Sequence, residues 1–85
     1  MALYFLEYDL RKQRDYKKLY NELATFKAVR ILESLWCFNR VNATAEGLRD
    51  LFRNYIDRDD GIVVAHVVDW AAINTRGNPN LIVGV

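Results

Sequence analysis

Ala2-Leu3-Tyr4-Phe5-Leu6-Glu7-Tyr8-Asp9 is the stretch that decides the fold. Side chains alternate across a strand, so Tyr4, Leu6 and Tyr8 share one face. Leu3, Phe5, Glu7 and Asp9 share the other. Both faces open apolar, as in a strand at the middle of a sheet with cover on each side. The pattern predicts a strand from about Ala2 to Tyr8 that delivers Asp9 at its end. Only the second face turns acidic, and basic Arg11, Lys12 and Arg14 follow at once.

Working outward, Tyr16, Leu19, Tyr20 and Leu23 fall on one helical stripe that Phe26 extends. They predict an amphipathic helix over about 14–27, with Asp15 favourably placed in or before its first turn. Residues 28–42 are rich in β-branched and aromatic side chains and read as extended. That span is long for one strand. Glu33-Ser34 is a polar pair inside it and the expected bend, so the expectation is two short strands, or one kinked strand, breaking there. Thr44 is a good N-cap for a second helix with Glu46 in its first turn. Leu48, Leu51, Phe52, Tyr55 and Ile56 form its apolar stripe. Asp57 to Gly61 is a polar turn. Ile62 to Val68 is a second, almost wholly apolar strand. Residues 74–80 have loop composition, and Leu81 to Val85 reads as a short closing strand at a sheet edge.

The order predicts an α+β fold: a ferredoxin-like split βαβ arrangement, βαββαβ plus a short C-terminal strand. Two helices would cover one face of an antiparallel sheet. The other face, with Leu3 and Phe5 on it, asks for a second layer, which a homodimer joined sheet to sheet would supply. Eighty-five residues make one domain, 1–85, whose core is small enough that self-association is expected.

Composition narrows the function classes. Hydrophobic residues are 52% of the chain, which excludes a disordered segment. Twelve Lys and Arg against eleven Asp and Glu leave a net charge of +1, which excludes a basic arm or acidic tail but not a local basic patch. Cys37 stands alone, so no internal disulfide forms and a reducing, cytoplasmic location is expected. No apolar run approaches the roughly 18 residues that span a membrane, and no export signal is apparent.

Several motifs are ruled out residue by residue. Asp57-x-Asp59-Asp60-Gly61 has its glycine too early for a calcium loop and lacks the closing glutamate. Cys37 has no partner for a zinc site. Neither a phosphate-binding loop nor a dinucleotide fingerprint is present, and Ser34 lacks the partners of a serine nucleophile. The basic-Gly-aromatic signature of an RNA-recognition motif is missing. His66, the only histidine, sits in an apolar strand and reads as a packed residue before it reads as a base.

The residues resemble a family. Tyr8-Asp9-Leu10 ends the first strand, and Arg11, Lys12 and Arg14 follow. Val29-Arg30-Ile31-Leu32-Glu33-Ser34-Leu35-Trp36 comes after the first helix, and Thr44-Ala45-Glu46 starts the second. Asp59 or Asp60 precedes the next strand. Over about residues 2 to 70 the chain resembles the ferredoxin-like family of CRISPR-associated spacer-acquisition nucleases and the virulence-associated protein VapD, closest to its SinR-like bacterial branch. The resemblance implies a homodimer in which Asp9 from each chain shares a magnesium ion and RNA or DNA is cleaved at a phosphodiester. It also implies a C-terminal strand that pairs with the other protomer. Some members are non-catalytic nucleic-acid-binding or assembly modules, so that role stands as the alternative.

Two roles are therefore open to Asp9: a catalytic metal ligand, or a strand-ending residue that caps the next helix. A carboxylate suits magnesium, a hard cation that polarises phosphate and activates water. Two-fold symmetry would double the carboxylate, and Glu7 on the same face could support it. Arg11, Lys12 and Arg14 are the residues that would neutralise phosphates, with Ser34 as a further contact.

Overall fold

The computed structural model describes residues 1–12 and 16–83. Its elements are β1 (Ala2–Asp9), α1 (Lys17–Thr25), β2 (Val29–Arg30), β3 (Leu35–Arg40), α2 (Ala45–Phe52) and β4 (Gly61–Val67). Single 3-10 turns lie at Arg53–Tyr55 and Pro79–Leu81. The sheet order is β2-β3-β1-β4, with every neighbouring pair antiparallel. Each helix joins two parallel strands that flank a third, which is the split βαβ, ferredoxin-like α+β arrangement. β1 is central, with Leu6 opposite Trp36 on β3 and Val64 on β4.

Tyr4, Leu6 and Tyr8 turn to the helices, as the alternation predicts, and are buried with Leu19, Leu23, Leu48 and Phe52. Phe38 completes that layer, with its ring centroid 5.0 Å from Phe26 and 5.8 Å from Phe52. Each large side chain so buried contributes about 1.5–3 kcal/mol of transfer free energy. Around this cluster the helices form where capping and apolar spacing agree. Thr44 is in extended conformation, and its Oγ1 accepts the Gly47 N–H at 3.0 Å. Glu46 in that first turn favours the positive helix end.

α1 is shorter than its stripe suggests. Its N-cap position, Tyr16, makes no side-chain cap, and the expected start at Arg14 and Asp15 lies outside the described residues. The helix closes in a Schellman motif, with Ala28 N–H on Leu23 O and Lys27 N–H on Ala24 O. The residue that takes the left-handed position there is Lys27, at φ 55°. Leu19 and Leu23 are buried, but Tyr20 is 37% exposed at the rim. The extended stretch does break, at Leu32–Ser34, leaving β2 and β3 as a hairpin in which Val29 faces Cys37.

The C-terminal part departs from expectation. Asn78 accepts the Asn80 N–H on its side chain, and Pro79 starts a 3-10 turn through Leu81 instead of a closing strand. Proline and an Asn side chain on its own backbone both favour a turn here. The last two residues of the expected strand, 84 and 85, lie outside the described residues.

The same segment changes how the second sheet face is covered. Trp70, Ala71, Ala72, Ile73, Thr75 and Pro79 lie over Phe5, Ile31, Leu32 and Leu35, leaving an apolar cleft of about 250 Å³. Arg76 N–H donates to Ile31 O at 2.8 Å. Cys37 points to this face and is 0% exposed, and its burial pushes the thiol pKa up to about 11. The chain's own tail thus supplies cover for the β2–β3 half of the face. The β4 side stays open, with Val63 62% exposed. No helix among the described residues is long and apolar enough to cross a membrane.

Candidate functional site at the end of β1

β1 runs between its neighbours as far as Asp9, which pairs with Gly61 at the start of β4. Beyond it the chain turns, and Arg11 folds back over Gly61. A Cβ on that glycine would lie 3.1 Å from Arg11 Nη2. From there the guanidinium donates through Nε to Asp9 Oδ2 at 3.2 Å and through Nη1 to Asp59 O at 2.7 Å. The backbone N–H of Arg11 reaches Asp60 Oδ1 at 2.8 Å. Lys12 Nζ lies 3.5 Å from Asp59 Oδ2. The 57–60 turn therefore holds the loop that follows the carboxylate.

Asp60 is the hub of that hold. Its other oxygen accepts the Asp57 N–H at 2.9 Å, and the Tyr16 hydroxyl lies 3.4 Å from Oδ1. Burial pulls the Asp60 pKa upward, but the N–H groups of Arg11 and Asp57, the Tyr16 hydroxyl and the Arg11 charge outweigh it. The carboxyl sits below its usual range.

Among the described residues Asp9 caps no helix. Its side chain is 72% exposed, and among the described residues only Arg11 bonds it. An ion pair this exposed is worth about 0–1 kcal/mol, so a competing cation or phosphate can open it. Glu7 lies on the same face and accepts from Ser34 Oγ at 3.1 Å. Ser34 is held in turn by its carbonyl, which accepts the Tyr8 N–H at 3.2 Å. Asp9, Arg11, Glu7 and Ser34 are thus brought to one end of the sheet. Lys12 joins through Asp59, while Arg14 lies outside the described residues. His66 stands opposite Tyr4, five residues or about 17 Å along the strand from Asp9, and is exposed. It takes no part in the site.

One group was not foreseen from the residues. Arg30, on β2, points to the helix side, with Cζ 5.1 Å from the Trp36 ring centroid and 5.7 Å from that of Tyr20. Its Nε and Nη2 donate to Glu33 O, and Nη2 also to the Tyr8 hydroxyl. That hydroxyl accepts from Trp36 Nε1 at 3.2 Å as well and lies 3.2 Å from Glu33 O. Burial is the main cause of the raised Tyr8 pKa, so the phenol stays neutral. Val29-Arg30 looks like ordinary strand sequence. Only the short β2–β3 hairpin brings the guanidinium beside the end of β1.

What one chain can do chemically follows from this set. Among the described residues no three His, Cys, Asp or Glu side chains gather into a metal cage. Magnesium needs no such cage, because it is commonly held by one or two carboxylates together with waters and substrate phosphates. Asp9 fits that requirement: an exposed hard oxygen donor with one weak competitor. No protein-family model and no solved structure matches the chain.

Proposed function

We propose that the chain acts as a homodimeric, magnesium-dependent endonuclease of RNA or DNA, with Asp9 of each protomer as the metal ligand. The observation that carries this reading is the placement of Asp9. It ends the central strand with its carboxylate in solvent and, among the described residues, only the Arg11 guanidinium on it. A bound magnesium would polarise a phosphodiester and supply an activated water. The chain's own part is to orient. The 57–60 turn fixes the Arg11 backbone, and Arg11 is placed to pass from the carboxylate to an incoming phosphate oxygen. Ser34 and Glu7 border the same end. The open β4 side of the outer face, where Val63 and Ala65 are exposed, is the surface offered to a second copy.

A second reading is a non-catalytic dimeric module that binds nucleic acid or protein. Its protein-binding form is favoured by the internal pairing of the cations: the Arg11 guanidinium donates to Asp59 O and Lys12 Nζ lies 3.5 Å from Asp59 Oδ2. One experiment separates the two. Purified protein is incubated with labelled RNA and DNA in magnesium or in EDTA, beside Asp9→Ala, and its mass is measured by light scattering. The nuclease reading expects a dimer and cleavage that needs magnesium and falls about 100-fold in the variant. Equal cleavage by Asp9→Ala overturns it. Salt-dependent binding without cleavage selects the second reading.

A further inference from the structure

Tyr20 is the odd member of its helix. Leu19 and Leu23 beside it are fully buried, yet this large ring is left 37% exposed. It stacks on Trp36 with centroids 6.1 Å apart and planes 26° from parallel. The Arg30 guanidinium lies within 6 Å of both ring centroids. Two aromatic rings and a guanidinium therefore form one cation–π cluster at the surface. It borders a shallow cleft of about 300 Å³ lined by Tyr8, Asp9, Tyr20, Arg30, Glu33 and Ser34. Tyr20 and Arg30 of that cluster thus line the cleft together with hydrogen-bonding groups, the Asp9 carboxylate and the Ser34 hydroxyl.

We infer that this cleft is a stacking subsite for one unpaired nucleobase of a single-stranded RNA or DNA. The inference rests on the reading that the chain acts on nucleic acid, and it names the form of the substrate. Aromatic and guanidinium planes bind any base through its face, without regard to sequence. The carboxylate and hydroxyl in the same lining can take the N–H groups at the base edge. A base inside a duplex keeps its faces against its neighbours and cannot enter a cleft on the protein surface. Tyr20 and Asp9 line the same cleft, so a base stacked there brings the adjoining backbone to the end of β1. The selectivity is for unpaired strands, and the duplex is the excluded form.

The test uses Trp36 as its own reporter. The full chain carries Trp70→Phe, which silences the only other tryptophan, located in the tail on the opposite sheet face. Short oligoribonucleotides, oligodeoxyribonucleotides and a duplex of the same sequence are titrated in EDTA, so cleavage plays no part. Single strands are expected to quench the fluorescence and the duplex to leave it unchanged. The RNA and DNA arms show which sugar is preferred. Tyr20→Leu should weaken single-strand binding about tenfold, while Tyr20→Phe, which keeps the ring, should stay within about twofold of the parent. Equal quenching by duplex, no quenching by single strands, or full affinity in Tyr20→Leu overturns the subsite. Should Tyr20→Leu not fold, the duplex comparison on the parent and the Tyr20→Phe result still decide. Failure of the Asp9→Ala cleavage test leaves this titration untouched, so the two readings fall separately.

Discussion

Gly77 pins the C-terminal tail onto the sheet, and replacing it by alanine should lift that tail. A Cβ there would lie 2.8 Å from Arg30 O and 2.9 Å from Val29 Cγ1. The first neighbour is backbone in a strand and cannot swing away, so the tail itself must move. Overpacking of this kind costs about 1–3 kcal/mol. Displacement also strains the bond from Arg76 N–H to Ile31 O, itself worth about 1 kcal/mol. A total of about 2 kcal/mol would lower the melting temperature by roughly 8–16 °C in a domain of this size. A local reporter separates tail release from general loosening. Cys37 lies on the same face, next to Val29, and is fully buried. With a thiol pKa of about 11 it should react slowly with a disulfide reagent at neutral pH. If the tail is what shields it, a penalty of about 2 kcal/mol on the closed state raises its reaction rate about 30-fold. The assay is thiol titration beside thermal unfolding by circular dichroism. An unchanged thiol rate with an unchanged melting temperature refutes the tail as the cover of Cys37.

Two further outcomes follow from the turns. Asp60→Ala removes the acceptor of the Arg11 and Asp57 N–H groups and should cost about 1 kcal/mol at pH 7, below the usual range for charged acceptors because water reaches the site. The folded-state pKa of Asp60 is depressed, so its stabilisation is present above the usual carboxylate range and is lost as pH falls through the folded value. Urea unfolding at pH 7 and in steps below about pH 4 should show the variant's deficit shrinking; a constant deficit contradicts the assigned role. Lys27→Gly should stabilise the fold by about 0.5–1 kcal/mol, since Lys27 holds the left-handed position of the α1 terminus. A destabilised glycine variant in the same unfolding assay would count against that account of the helix end.

The fold was legible wherever period and capping spoke together. The alternation of Ala2–Asp9 placed Tyr4, Leu6 and Tyr8 toward the helices, and Thr44 marked the start of α2. The bend at Glu33-Ser34 could be read because a polar pair interrupts a β-rich run. The tail could not. Leu81-Ile82-Val83 has strand composition, and only Asn78-Pro79 just before it carries the turn that diverts it. Tyr20 matched the helical stripe, but an α-helix of nine residues covers a narrow band of sheet, and a side chain at its margin ends at the rim. Asp9 was legible as a strand-ending carboxylate. What holds its partner Arg11 was not, because the contacts of Arg11 to Asp59 and Asp60 join residues 48 and 49 positions apart. Arg30 stayed hidden for the same reason: its importance comes from a hairpin and a helix meeting, and no local pattern encodes that meeting.

The tail also bears on how a second copy could approach. Leu3 and Phe5 alone call for a complete second layer, for which a symmetric sheet-to-sheet dimer is the simple answer. With residues 70–79 already over Phe5 and the β2–β3 half, the apolar surface still open lies toward β4, around Val63 and Ala65. That half contains the Asp9–Gly61 pair at its end. A copy docking there would meet the β4 half of the face that the tail leaves open, beside the end of β1 where the carboxylate stands. On the proposed reading the Arg11–Asp9 pair is a placeholder. It keeps the exposed carboxylate partly neutralised in the isolated chain, and at about 0–1 kcal/mol it yields readily to a cation or a phosphate. Arg11→Ala should consequently cost no more than about 1 kcal/mol in urea unfolding, because the guanidinium's bonds to Asp9 and Asp59 O are exposed while the Arg11 backbone N–H keeps its bond to Asp60; a larger loss would refute the placeholder role.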